Sequence, residues 1–201
     1  GTNVVLGGAG TNENDLTIIK KSSGTLNINS TSATYTGATI VEAGTLNISS
    51  ATTLASPITV KPSAALGGGG ATSSSLTFDP GTSTLSFDPA TPGSFTADSV
   101  TTNGATIVAN PSSATTVGQT YTVLTRGTGT FSAPEVAAFL GGGRSTIGGT
   151  GTNTITYTAD APASLTWKGN DGTNPTYWDV ATTFNWSNGS ADRFFSNDAV
   201  T

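Results

Sequence analysis

Histidine, cysteine and methionine are absent from all 201 residues, and only 9% of the chain is charged, where about a quarter is usual. Without histidine the side chain that titrates nearest neutrality is missing, and with it the commonest general base and metal ligand. Without cysteine there are no disulfides, thiol nucleophiles or thiolate metal sites. The joint lack of His, Cys and Met removes the usual haem ligands. Seven Lys and Arg against twelve Asp and Glu leave a net charge of −5, the wrong sign for a nucleic-acid surface. Apolar runs such as Val136–Leu140 fall far short of the roughly 18 residues that a membrane-spanning helix needs.

What is abundant is small and polar. Ser and Thr together make up nearly a third of the chain, and Gly adds 26 residues. The first residue is not Met, and no charged-then-apolar leader opens the chain. Val4-Val5-Leu6 and Ala199-Val200-Thr201 read as strands at the two ends. The chain therefore reads as cut from a longer protein or trimmed after secretion, and these segments are the expected strands for end-to-end assembly. The composition fits an extracellular or bacterial cell-surface protein.

Self-similarity organises the rest. Gly24-Thr-Leu-Asn-Ile28 recurs 20 residues later as Gly44-Thr-Leu-Asn-Ile48, and Gly37-Ala-Thr-Ile-Val41 recurs as Gly104-Ala-Thr-Ile-Val108. Ser75-Leu-Thr-Phe-Asp-Pro80 is echoed by Thr84-Leu-Ser-Phe-Asp-Pro89. Within each copy apolar residues alternate with polar ones, the period of a strand. Turn residues separate the runs: Asp79-Pro80, Asp88-Pro89, Asn103-Gly104 and Asp171-Gly172. Pro134–Leu140, stopped by Gly141, is the single helix candidate. The class is all-β. A sandwich or jelly roll needs no fixed period, whereas a β-solenoid places equivalent residues on successive coils. On that architecture Leu26 sits under Leu46, Ile28 under Ile48, and Asn27 stacks on Asn47 as an outer ladder. The low charge suits it, because like charges repeated on each coil would repel.

Tyr35-Thr-Gly-Ala-Thr-Ile-Val-Glu-Ala-Gly-Thr-Leu-Asn-Ile48 resembles the autotransporter-associated β-strand repeat of large bacterial secreted and surface proteins. It matches Tyr-x-Gly-x-Thr-x-Val-x-x-Gly-x-Leu-x-(apolar) at each defined position. Leu16–Ile28 resembles the preceding half-repeat, Gly118–Leu124 with Gly129–Phe131 and Asn153–Tyr157 a closing segment, and Trp167–Val200 a Trp-rich unit that opens a following module. The resemblance implies a right-handed parallel β-helix (solenoid) and no shared enzymatic activity. The expected organisation is solenoid repeats over 1–110, a closing β segment over 111–166 (further coils or a small sandwich) and a Trp-rich β unit or cap over 167–201.

Candidate chemistry is sparse. Asp79 and Asp88 sit in matching Phe-Asp-Pro contexts and could form a carboxylate pair, but the environment that separates an acid from a base is missing, and Asp-Pro reads as a turn. A polysaccharide-active groove would also need one of the central cations Lys61, Arg126 or Arg144. Asn12–Asp15 and Asn170–Asn174 gather oxygen donors that suit Ca²⁺ without the spacing of a known calcium loop; no other cofactor is expected. The runs Leu66–Gly70 and Gly141–Arg144 lack the Lys-Ser/Thr ending of a phosphate loop and read as flexible corners. Trp167, Tyr177, Trp178, Phe184, Trp186, Phe194 and Phe195 form either a core or a sugar-binding face, with Trp167, Tyr177, Trp178 and Trp186 as the candidate glycan contacts. Asn29, Asn47, Asn185 and Asn188 lie in glycosylation sequons. The expectation is a non-enzymatic structural segment of a secreted surface or matrix protein, forming a stalk or self-assembling fibre. The alternative is a carbohydrate-binding adhesin module. Self-association, neighbouring modules and surface glycans are the expected partners.

Overall fold

The computed structural model describes residues 14–30, 33–91, 94–195 and 198–200. Strands take 44% of the described residues and helix 3%, and the architecture is a parallel β-solenoid. Each coil crosses two sheets. One sheet receives β1 (Ile18–Lys20), β3 (Thr39–Val41), β6 (Ile58–Val60), β8 (Ala71–Phe78), β10 (Phe95–Thr101) and β12 (Thr120–Arg126). The other receives β2 (Thr25–Ile28), β4 (Gly44–Ile48), β7 (Ala64–Gly67), β9 (Thr82–Phe87), β11 (Thr106–Pro111) and β13 (Phe139–Leu140). The short β5 (Thr53–Leu54) adds a second parallel contact to β8.

The stacking follows the repeat. Leu26 pairs with Leu46, Asn27 with Asn47 and Ile28 with Ile48, and the Leu stack continues through Leu66 and Leu85. Across the first sheet Val41, Val60 and Phe78 form the matching inward stack. These side chains are wholly or almost wholly buried beyond the first coil and belong to one continuous core. Burying each full Leu, Val or Phe contributes about 1.5–3 kcal/mol. Coils of unequal length are absorbed by a register shift between Ala97 and Ser99 on β10. The Asn103-Gly104 turn joins β10 to β11 with both residues at positive φ, 45° and 71°, as that dipeptide predicts.

Residues 111–166 hold a further coil and then an antiparallel hairpin on the same sheet. β12 and β13 are parallel rungs of the last coil. The first sheet then changes sense, because β15 (Thr154–Thr158) pairs antiparallel with β12 and β14 (Thr146–Gly148) pairs antiparallel with β15. Ile155 and Tyr157 from this hairpin complete the solenoid core. The helix α1 (Ala133–Ala137) starts one residue before the predicted Pro134–Leu140, and it stops at Ala138, short of Gly141, because Phe139 and Leu140 join the sheet as β13. The antiparallel hairpin, not the Trp-rich segment, closes the core. Leu165 and Trp186 are buried outside that core cluster, in a second unit formed by β16 (Ser164–Trp167), β17 (Trp186–Ser187), β18 (Ala191–Asp192) and β19 (Ala199–Val200).

Candidate functional site

The seven defined positions of the repeat each have a physical duty. The Tyr35 hydroxyl is buried 2.7 Å from Thr39 Oγ1, which is 2.8 Å from Ser56 Oγ, and the Ser56 carbonyl accepts from Thr72. Burial pushes the Tyr35 phenol up from its ordinary range, partly offset by its bonds to Thr39 and Ser56. Gly37 lies against the carbonyls of Leu16 and Asp15, where a Cβ would collide with backbone. Gly44 turns the corner at φ +67° over the carbonyls of Ser22 and Gly24. Val41, Leu46 and Ile48 fill the core. Lys20, on the inward side of β1, is buried and directs its ammonium to the carbonyls of Ser22 and Ala43. The motif is thus a recipe for one coil and its hydroxyl ladder.

The candidate catalytic groups are dispersed. Asp79 ends β8 and pairs with Lys61 at 2.5 Å; Asp88 ends β9 in the opposite sheet. Asp88 accepts from Thr91, the Ala90 amide and Ser113, and these bonds hold its carboxyl below the usual range. Arg126 is buried, bonded to the Val100 and Thr130 carbonyls, paired with Glu135 at 2.5 Å and placed 4.1 Å over the Phe131 ring. Arg126 and the Ser132 amide hold Glu135 down to about 2. A cleft of about 490 Å³ runs over the second sheet past Asn47, Gly67–Gly69, Ser86 and Asp88. Gly68 there packs against the Ile48 carbonyl, so this corner is close-packed rather than the slack one expected.

Among the described residues no three His, Cys, Asp or Glu side chains gather as a metal site. Of the first calcium candidate, Asn12 and Glu13 lie outside the described residues. In the second, Asp171 accepts from the backbone N–H groups of Thr173, Asn174 and Phe184. The Asn174 and Phe184 amides chiefly hold its carboxyl below the usual range. Of the expected assembly strands, Val4, Val5, Leu6 and Thr201 lie outside the described residues. Ala199 and Val200 form β19, an exposed edge strand paired in parallel with β16.

The aromatic segment divides in two. Trp186 is wholly buried, with Trp167 at 5.1 Å, Trp178 at 4.6 Å and Phe194 at 5.3 Å between ring centroids. It is core and unavailable to a ligand, a correction to its place among the candidate glycan contacts. Asn185 is also buried; its amide donates to the carbonyls of Asn174 and Tyr177 and so fixes the loop between β16 and β17, leaving this sequon inaccessible. Tyr177 and Trp178 stand outside, 58% and 62% exposed. Trp167, partly buried, stacks on Trp178 at 5.6 Å and 18°.

Sequence reasoning missed the joint between the two units. Arg144, in the loop before β14, grips Asp198 through Nε at 2.7 Å and an Nη at 2.8 Å, meets Asp192 at 3.1 Å and donates to the Arg193 carbonyl. Its guanidinium lies 5.0 Å from the Phe195 ring centroid. Burial alone would raise the Asp198 carboxyl; Arg144 and the amides of Ala163 and Phe195 outweigh it and hold it low. Asp198 raises Arg144 in turn. Comparison with protein-family models, curated proteins and solved structures finds no match to the chain.

Proposed function

We propose that the chain is a non-enzymatic structural segment of a secreted bacterial surface or matrix protein, a stalk section that joins its neighbours end to end. The observation that carries this reading is the uninterrupted Leu26–Leu46–Leu66–Leu85 stack beneath an outer polar surface. Such a stack extends by about 4.8 Å per coil and depends only on neighbouring coils, so length can be added without redesign. The coil-building duties of Tyr35, Gly37, Thr39, Val41, Gly44 and Leu46 support the likeness to the autotransporter-associated repeat. The dispersal of Asp79, Asp88, Arg126 and Arg144 into separate turns and joints supports a mechanical role over a catalytic one. The exposed edge at β19 offers a strand to a neighbouring module or copy.

Electron microscopy of the purified protein over a range of concentrations, with intact mass on the same sample, tests this. Filaments or short rods one solenoid wide, lengthening with concentration, are the expected result. Isolated particles of one uniform mass at every concentration would overturn end-to-end joining.

A further inference from the structure

We propose that Tyr177 and Trp178 form a carbohydrate platform that stacks against the apolar face of one or two neutral hexopyranose rings. This does not rest on end-to-end assembly. Two neighbouring large aromatics are left mostly in water, and Phe184 on the same unit is 42% exposed. The fold nevertheless fixes the Trp178 ring and the Tyr177 backbone. Trp167 stacks on Trp178, Trp186 meets it edge-on at 87°, and Asn185 holds the Tyr177 carbonyl. The Asp179 carboxylate accepts from the Thr183 amide and hydroxyl and closes the turn beyond Trp178. An indole braced by a second indole and still 62% exposed is a rigid, flat, pre-organised surface.

Size and charge decide what lies on it. Aromatic side chains bury about 150–250 Å² each, so the exposed parts of Tyr177, Trp178 and Phe184 amount to roughly 300 Å². A stable protein interface needs about 800 Å² per partner, and the platform is too small for one. Neutral hydrogen-bonding groups, Asn170, Thr173, Thr176 and Thr182, are exposed on the same loops after the exposed Lys168, while Asp171 and Asp179 are turned onto backbone amides. A nucleobase would also stack, but the chain carries −5 net charge and offers no basic track for the phosphates. The Arg193 guanidinium is already placed 4.2 Å over the Phe184 ring. A ring with one apolar face and hydroxyls at its rim fits.

The test is affinity electrophoresis in laminarin and galactomannan, with titration of cellohexaose and chitohexaose followed by tryptophan fluorescence. Binding by the whole 201-residue chain, at least a tenfold loss of affinity in Trp178→Ala and a smaller loss in Tyr177→Ala are expected. Melting temperature serves as the fold control. Because Trp178→Ala also removes a contact to Trp186, Tyr177→Ala is the decisive variant: lowered affinity at unchanged melting temperature supports the platform. No binding of any of the four probes, or unchanged affinity in Tyr177→Ala and Trp178→Ala, would overturn it.

Discussion

The solenoid wall and the C-terminal unit are both built of short strands and turns, yet they are held by different forces. In the wall, cohesion comes from repetition: apolar residues stack on apolar residues coil after coil, and the parallel ladder satisfies the backbone. In the C-terminal unit, strands are two to four residues long, and single side chains do the organising. Trp186 supplies the core, Asn185 and Asp171 shape the loop, and Arg144 with Asp198 fastens the unit to the wall. A repeated core tolerates local damage by sharing it among coils, whereas a unit centred on one tryptophan concentrates the loss.

The sharpest way to break this comparison is Trp186→Ala, expected to cost about 3–5 kcal/mol. Hydrogen exchange followed by mass spectrometry is expected to show lost protection over residues 163–200 and little change over the wall. If protection falls everywhere, the two regions are one cooperative unit. Leu66→Ala, expected at about 2–5 kcal/mol, reverses the pattern, loosening the coils on either side of β7 while the C-terminal unit keeps its protection. Arg144→Ala leaves Asp198, whose side chain is 1% exposed, as a buried charge without its cation and held only by the Ala163 and Phe195 amides, at about 3 kcal/mol. The readout there is a C-terminal unit that melts earlier or is cut by protease while the wall survives.

Acid separates the regions more gently. Glu135 has its folded pKa depressed to about 2 from an ordinary 4.5, and Asp198 is depressed as well. A depressed carboxylate contributes stability that is complete above the unfolded pKa and is lost as pH falls through the folded one. Melting temperature is therefore expected to hold down to about pH 5 and to fall towards pH 2, first in the C-terminal joint and the α1 cap. The hydrophobic wall changes little. The smallest effect is expected for Asn47→Ala, which removes an exposed 2.9 Å bond to Asn27. It should cost about 0.5 kcal/mol, and a loss several times larger in denaturant melts would make the outer ladder a main support.

Legibility in the sequence follows the same division. The register of Leu26 on Leu46 and of Asn27 on Asn47 was readable because two coils repeat the same five residues. Leu66 and Leu85 belong to the same stack, but Ala-Leu-Gly and Thr-Leu-Ser have replaced Thr-Leu-Asn around them, so the wall continues where the visible repeat stops. The change to antiparallel pairing between β12 and β15 was not readable, because alternation has period two in either sense. The tryptophans were evident as a cluster; which faced water was not, since exposure depends on how the loop held by Asn185 folds back. Arg144 gave no signal at all, as its carboxylate partners are 48 and 54 residues away.

The register of the wall can be tested most directly through the chain's own lack of cysteine. Asn27→Cys with Asn47→Cys places two thiols on facing outer positions of adjacent coils, within the Cα separation of about 4.4–6.8 Å that a disulfide accepts. Asn27→Cys with Thr59→Cys places them in different sheets. After mild oxidation at low protein concentration, intact mass is expected to show the intramolecular disulfide in the first pair and free thiols in the second. Free thiols in the first pair, or a disulfide formed as readily in the second, would contradict the stacked solenoid.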